Sequence, residues 1–142
     1  MGISMSAPSR TRIFYYEVGV MHEWGLMQEI IRIVSEEAAL SGIVEVTEIE
    51  IIAGEWCNVL PDALALAFDC IREEIRSGVI TKSTVLVLRI EPALAKCRQC
   101  GHTFTPDYRL ALCPSCGLAV AALISGETFR VNSFEGRDFN EN

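Results

Sequence analysis

Four of the six cysteines fall into two pairs, Cys97-x2-Cys100 and Cys113-x2-Cys116, separated by twelve residues. Each C-x-x-C turn aims two sulfurs at one point, and two such turns build a tetrahedron of four thiolates. A sulfur-only tetrahedron suits Zn²⁺, with Zn–S about 2.3 Å; iron in a rubredoxin-like site accepts the same ligands. All four positions come from the protein, which leaves none for water or substrate. That points to a structural metal and not a catalytic one. Gly101 and Gly117 each follow the second cysteine of a pair, where a knuckle must turn, and Pro114 stiffens the second knuckle. The surrounding segment 93–125 has few large apolar residues, so it needs the metal to fold.

The remaining candidate groups carry less. Cys70 falls within a helical pattern and is expected as a small buried hydrophobe. Cys57 sits in the turn Gly54-Glu55-Trp56-Cys57-Asn58, with no basic neighbour in sequence to activate it. Two histidines exist, His22 and His102. Gly101 separates His102 from Cys100, which excludes the C-x-x-C-H haem motif; His102 is expected as a surface imidazole near the cysteines. His22 has no second histidine or cysteine close by and makes no metal cluster alone. A Ser–His–Asp set, a phosphate loop and an open metal site are all missing from the pattern, so an enzyme is disfavoured.

These residues need a scaffold. Leu26, Met27, Ile30, Ile31, Ile33, Val34 and Ala38 form an apolar stripe at helical spacing, which predicts a helix from His22 to about Gly42. Val44–Ala53 reads as a strand, with alternation imperfect around Thr47. Pro61 opens a second helix with Leu64, Ala67, Phe68, Ile71 and Ile75 on one face, closing near Gly78. Thr84–Glu91 and Glu127–Phe134 read as strands, and Glu135–Asn142 as a frayed tail. Residues 1–12 have no period and read as a tail; Ile13–Val20 could pair as a short strand. The expected fold is α+β: two helices packed on a three-stranded sheet, with an inserted four-cysteine zinc ribbon. The expected division is residues 1–20 as an N-terminal extension, 21–91 with 126–136 as one domain, and 92–125 as the metal-binding insert.

The chain's 142 residues, 15.7 kDa, can bury a substantial core without disulfides. Hydrophobic residues make up 50% and mean hydropathy is +0.28, which excludes wholesale disorder. The longest apolar run, Leu118–Ile124, is far short of the ~20 residues of a membrane span. Twelve basic against 19 acidic residues give a net charge of −7. Without a basic cluster, phosphate-driven nucleic-acid binding is disfavoured. The absence of an apolar leader and the paired cysteines point to the reducing cytoplasm.

Met21-His22-Glu23 at a helix start, Ile52-Ala53-Gly54-Glu55, Val59-Leu60-Pro61-Asp62-Ala63-Leu64 with Phe68, Glu91-Pro92-Ala93, the two cysteine pairs and Ser125-Gly126-Glu127 occur in that order. Together they resemble the HypA/HybF family of nickel metallochaperones for NiFe-hydrogenase maturation, over about residues 21–135. The resemblance implies a non-enzymatic carrier with zinc at Cys97, Cys100, Cys113 and Cys116. It implies transported Ni²⁺ at Met21, His22 and Glu23, through an α-amine and the nitrogens of the next two residues. It further implies a HypB-type GTPase partner and the hydrogenase large subunit as recipient, and it permits a homodimer and a urease client. Here twenty residues precede Met21, so its nitrogen is an amide in this chain. Translation from Met21, in preference to Met1 or Met5, would restore the amine. The rival readings are a zinc-ribbon module that binds protein or nucleic acid, and an iron electron carrier.

Overall fold

The computed structural model describes residues 9–11, 14–16, 23–107 and 112–138. The elements run β1 (Ser9–Thr11), β2 (Phe14–Tyr16), α1 (Glu23–Leu40), β3 (Ile43–Gly54), α2 (Pro61–Glu74) and β4 (Ile80–Glu91). There follow β5 (Leu94–Cys97), β6 (Thr103–Phe104), β7 (Ala121–Ser125) and β8 (Phe129–Asp138).

Three long strands form the body of the main sheet, in the order β8, β3, β4. β3 runs parallel to β4, with α2 as the crossover a parallel pair requires, and antiparallel to β8. One face of this sheet carries both helices. Leu26, Met27, Ile30 and Val34 of α1 and Leu64 and Phe68 of α2 are fully buried with Val46, Ile49, Ile51, Phe129, Val131 and Phe134 of the strands. The expected α+β body is therefore present. A short second sheet, β6-β5-β7, carries the cysteine segment.

Four details differ from the expectations, each for a local reason. The weak alternation around Thr47 is a bulge: both ladders of β3 slip between Val46 and Glu48, so Val46 and Ile49 are both buried. Thr47 Oγ1 donates to the Glu135 carbonyl at 3.1 Å across that slip. α2 stops at Glu74 and not near Gly78, because β4 starts early, at Ile80. There Thr84, completely buried, donates from its hydroxyl to the Val46 carbonyl at 2.7 Å. The supposed frayed tail is strand through Asp138; Gly136 lies so close to β3 that a Cβ there would sit 2.5 Å from the Glu45 carbonyl oxygen. Ser9–Thr11, expected as tail, pairs with β8, as does Phe14–Tyr16.

Candidate metal centre

The cysteine segment folds around its sulfurs. In each knuckle the glycine amide closes a turn onto the first cysteine: Gly101 N–H donates to Cys97 O at 2.9 Å and Gly117 N–H to Cys113 O at 2.8 Å. Both glycines have positive φ, +77° and +75°, where other residues are strained. Next in each knuckle the chain returns: Cys97 N–H donates to His102 O and Cys113 N–H to Leu118 O. Amides of Gln99 and Cys100 point at Cys97 Sγ, both at 3.4 Å, and the Ser115 amide at Cys113 Sγ at 3.3 Å.

The four sulfurs lie within 4.8 Å of one another, with Cys97–Cys116 and Cys100–Cys113 each 3.6 Å apart. A tetrahedron with Zn–S of about 2.3 Å places its sulfurs ~3.8 Å apart, so the cluster has the size one such ion needs. No disulfide links these cysteines. The electrostatics agree. The Cys100 amide above all, with the Gln99 amide and the neighbouring thiols, pulls Cys97 down to about 6 against desolvation. The Leu118 amide favours the Cys116 thiolate, but desolvation and the thiols of Cys97, Cys113 and Cys100 outweigh it and push Cys116 up to about 11. Cys100 is likewise raised, although the His102 amide favours its thiolate. One thiolate thus forms readily while Cys100 and Cys116 resist; a divalent cation supplies the charge that favours their ionised forms. Around the quartet the buried apolar side chains among the described residues are small: Ala93, Ala95, Cys97 and Cys113. The donor set fits a structural metal.

His102 is exposed, its ring stacked on Phe104 at 5.9 Å, and it is not a member of the quartet. Cys70 is exposed on α2, contrary to the expectation of burial. Cys57 is half-buried against the core.

At the other candidate site, Met21 and His22 lie outside the described residues. Glu23 begins α1, where its charge suits the helix dipole. Its carboxylate accepts the Leu60 amide at 2.9 Å, at the N-cap of α2. That bond joins the first turns of the two helices, and nothing in the local sequence signals it.

A second set of contacts joins the two sheets. Glu55 Oε1 accepts the Ala93 amide at 2.8 Å, Glu91 Oε1 accepts the Gly126 amide at 3.1 Å, and Trp56 N–H donates to Gly126 O at 2.7 Å. Gly54 and Gly126 permit the approach: a Cβ on Gly54 would lie 2.3 Å from the Gly126 carbonyl carbon. These are the Gly-Glu, Glu-Pro-Ala and Ser-Gly-Glu motifs, which the sequence offered without a role.

The family described as hydrogenase/urease nickel incorporation, metallochaperone, hypA matches residues 21–136. The chain belongs to the HypA family. A hydrogenase maturation factor HypA from Moorella thermoacetica is 29% identical over 116 residues, covering 82% of this chain and 99% of that protein. A HypA from Nostoc sp. is 35% identical over 115 residues, 81% of this chain and 95% of its own. The solution structure of the Ni metallochaperone HypA from Helicobacter pylori superposes with a TM-score of 0.56 at 23% identity, covering 82% of this chain and 97% of that one. A second HypA solution structure gives 0.60 at 24%, and these two likenesses support the HypA fold. Among the described residues no helix is long and apolar enough to cross a membrane.

Proposed function

We propose that this chain carries Ni²⁺ as cargo and delivers it, with a HypB-type GTPase, to the NiFe-hydrogenase large subunit in the cytoplasm, without catalysing a reaction of its own. Membership of a nickel-incorporation family over residues 21–136 is the observation that carries this reading. Zn²⁺ at Cys97, Cys100, Cys113 and Cys116 is its resident metal, and the donor set and spacing support that choice. Zinc supplies no reactive position; it closes the ribbon that its small apolar residues leave unsupported.

The cargo site is Met21, His22 and Glu23. Ni²⁺ favours square-planar nitrogen donors. A free α-amine at Met21, the backbone nitrogens of His22 and Glu23 and the His22 imidazole form fused chelate rings around one ion. An α-amine, with an unperturbed pKa of ~7.7–8.0, gives up its proton readily at neutral pH, whereas an amide does not. The carrier form therefore begins at Met21. The Glu23 carboxylate holds the Leu60 amide, so its part is to fix the helix start that presents the chelate.

Metal analysis of native protein, together with its intact mass, tests this reading. Colourless protein carrying zinc and beginning at Met21 is expected. Red protein, the colour of a ferric tetrathiolate, would instead mark an iron carrier.

A further inference from the structure

The second sheet carries a row of cations beside a row of aliphatic side chains. Lys96 of β5 lies opposite Thr103 of β6 and Ala122 of β7, and cross-strand partners share a face. Arg98 stands two residues on from Lys96, where its amide donates to the Val120 carbonyl at 3.3 Å. The ladder of β5 with β7 slips between Leu94–Ser125 and Ala95–Leu123, which leaves Ile124 without an opposite residue. Lys96, Arg98, Ala122 and Ile124, with Cys97 and Gly101, line one open groove of about 370 Å³. Ile124 is 55% exposed and Val120, beside Arg98, is 40% exposed.

The charges in this groove are unspent. Arg32, Arg72, Lys82, Arg89, Arg130 and Arg137 each sit beside a carboxylate. Lys96 and Arg98 have no ion pair among the described residues, in a chain whose net charge is −7. Two cations neutralise too few phosphates to hold a nucleic acid, and none of the lining residues is aromatic, so a base has nothing to stack on. An anionic membrane would meet the same acidic surface. A short extended segment of a protein fits better. Its side chains alternate, so carboxylates can reach the β5 row while aliphatic groups reach the β7 row. We propose that this face of the ribbon docks an acidic, aliphatic segment of a partner protein. Lys96 and Arg98 take its carboxylates, and Ala122 and Ile124 take its aliphatic side chains. The surface shares no residue with the proposed nickel chelate, so its failure would leave that reading standing.

Amide NMR of the zinc-loaded full chain, titrated with a capped peptide of alternating leucine and aspartate, tests the proposal. The amides of Lys96, Arg98, Ala122 and Ile124 should shift saturably and those of α1 should not. Added salt should weaken the binding. The same peptide with asparagine for aspartate, or with serine for leucine, should lose it. The double variant Lys96→Glu, Arg98→Glu should bind the acidic peptide about tenfold more weakly or worse. It should gain binding to a peptide of alternating leucine and lysine, which also shows that its ribbon is intact. Absence of saturable shifts at these amides would overturn the proposal, as would equal affinity for the aspartate and asparagine peptides. Tighter binding of oligothymidylate or of anionic vesicles at the same amides would overturn it too.

Discussion

The Glu55 carboxylate accepts the Ala93 amide at 2.8 Å, across 38 residues of sequence, and so ties the loop after β3 to the first residues of the metal-binding segment. Glu91 does the same for Gly126 on the returning chain. The ribbon is held at both its entrance and its exit by carboxylates of the body.

This clasp should be sensitive to atoms as small as a methyl group. Gly126 has φ +90°, and a Cβ there would lie 2.4 Å from Ala93 Cα. Gly126→Ala combines backbone strain with a clash against main chain, and should cost at least ~2 kcal/mol. Glu55→Ala removes one charge-assisted bond and should cost about 1–2 kcal/mol. Urea unfolding of zinc-loaded protein measures both, and Gly126→Ala should be the more damaging.

Replacing any one of Cys97, Cys100, Cys113 or Cys116 by alanine should lower bound zinc and unfold the ribbon, while the helix–sheet body survives. The body's core draws on α1, α2, β3, β4 and β8 and none of the four cysteines. Metal analysis with amide exchange resolves the two halves. Full zinc content in such a variant would contradict the four-sulfur assignment.

Glu50 gives a pH dependence. The Arg89 side chain, then Asn132 and finally Ser133 hold its carboxyl below the ordinary glutamate value, against desolvation. Its folded pKa lies below its unfolded one, so the native state favours the ionised form. The stabilisation is complete above the unfolded value and is lost as pH falls through the folded one. Glu50→Gln should therefore flatten the acid limb of the stability curve and lower stability at neutral pH. Unfolding midpoints from pH 7 down to about 3 measure this.

The quartet was legible because spacing alone dictates its chemistry, and the helices because their apolar stripes have one period. Cys70 shows the limit. Its residue type suggested burial, but it stands two positions past Phe68, on the opposite side of α2 from Leu64 and Phe68, and periodicity decided its place. The bulge at Thr47 left a visible trace as broken alternation, without saying which ladder would slip. Glu23 to Leu60 and Glu55 to Ala93 left none: a carboxylate's long-range partner is set by how elements pack, not by its neighbours in sequence.

Glu23 separates two roles that one residue can hold. Its carboxylate serves the helix junction and its backbone nitrogen serves the proposed chelate. Glu23→Ala should lower stability by about 1 kcal/mol. Glu23→Gln should retain much of the nickel affinity, because the amide side chain leaves the backbone donor in place. Calorimetric nickel titration beside thermal unfolding distinguishes the two effects.

The central assignment is the chelate at the start of α1. Calorimetric titration of Ni²⁺ into zinc-loaded protein beginning at Met21, into its His22→Ala variant and into the 142-residue chain tests it directly. The Met21 form should bind one nickel ion tightly, the variant should lose that binding, and the longer chain should bind more weakly because its Met21 nitrogen is an amide. Equal affinity in all three proteins would contradict the assignment and move the nickel site away from Met21, His22 and Glu23.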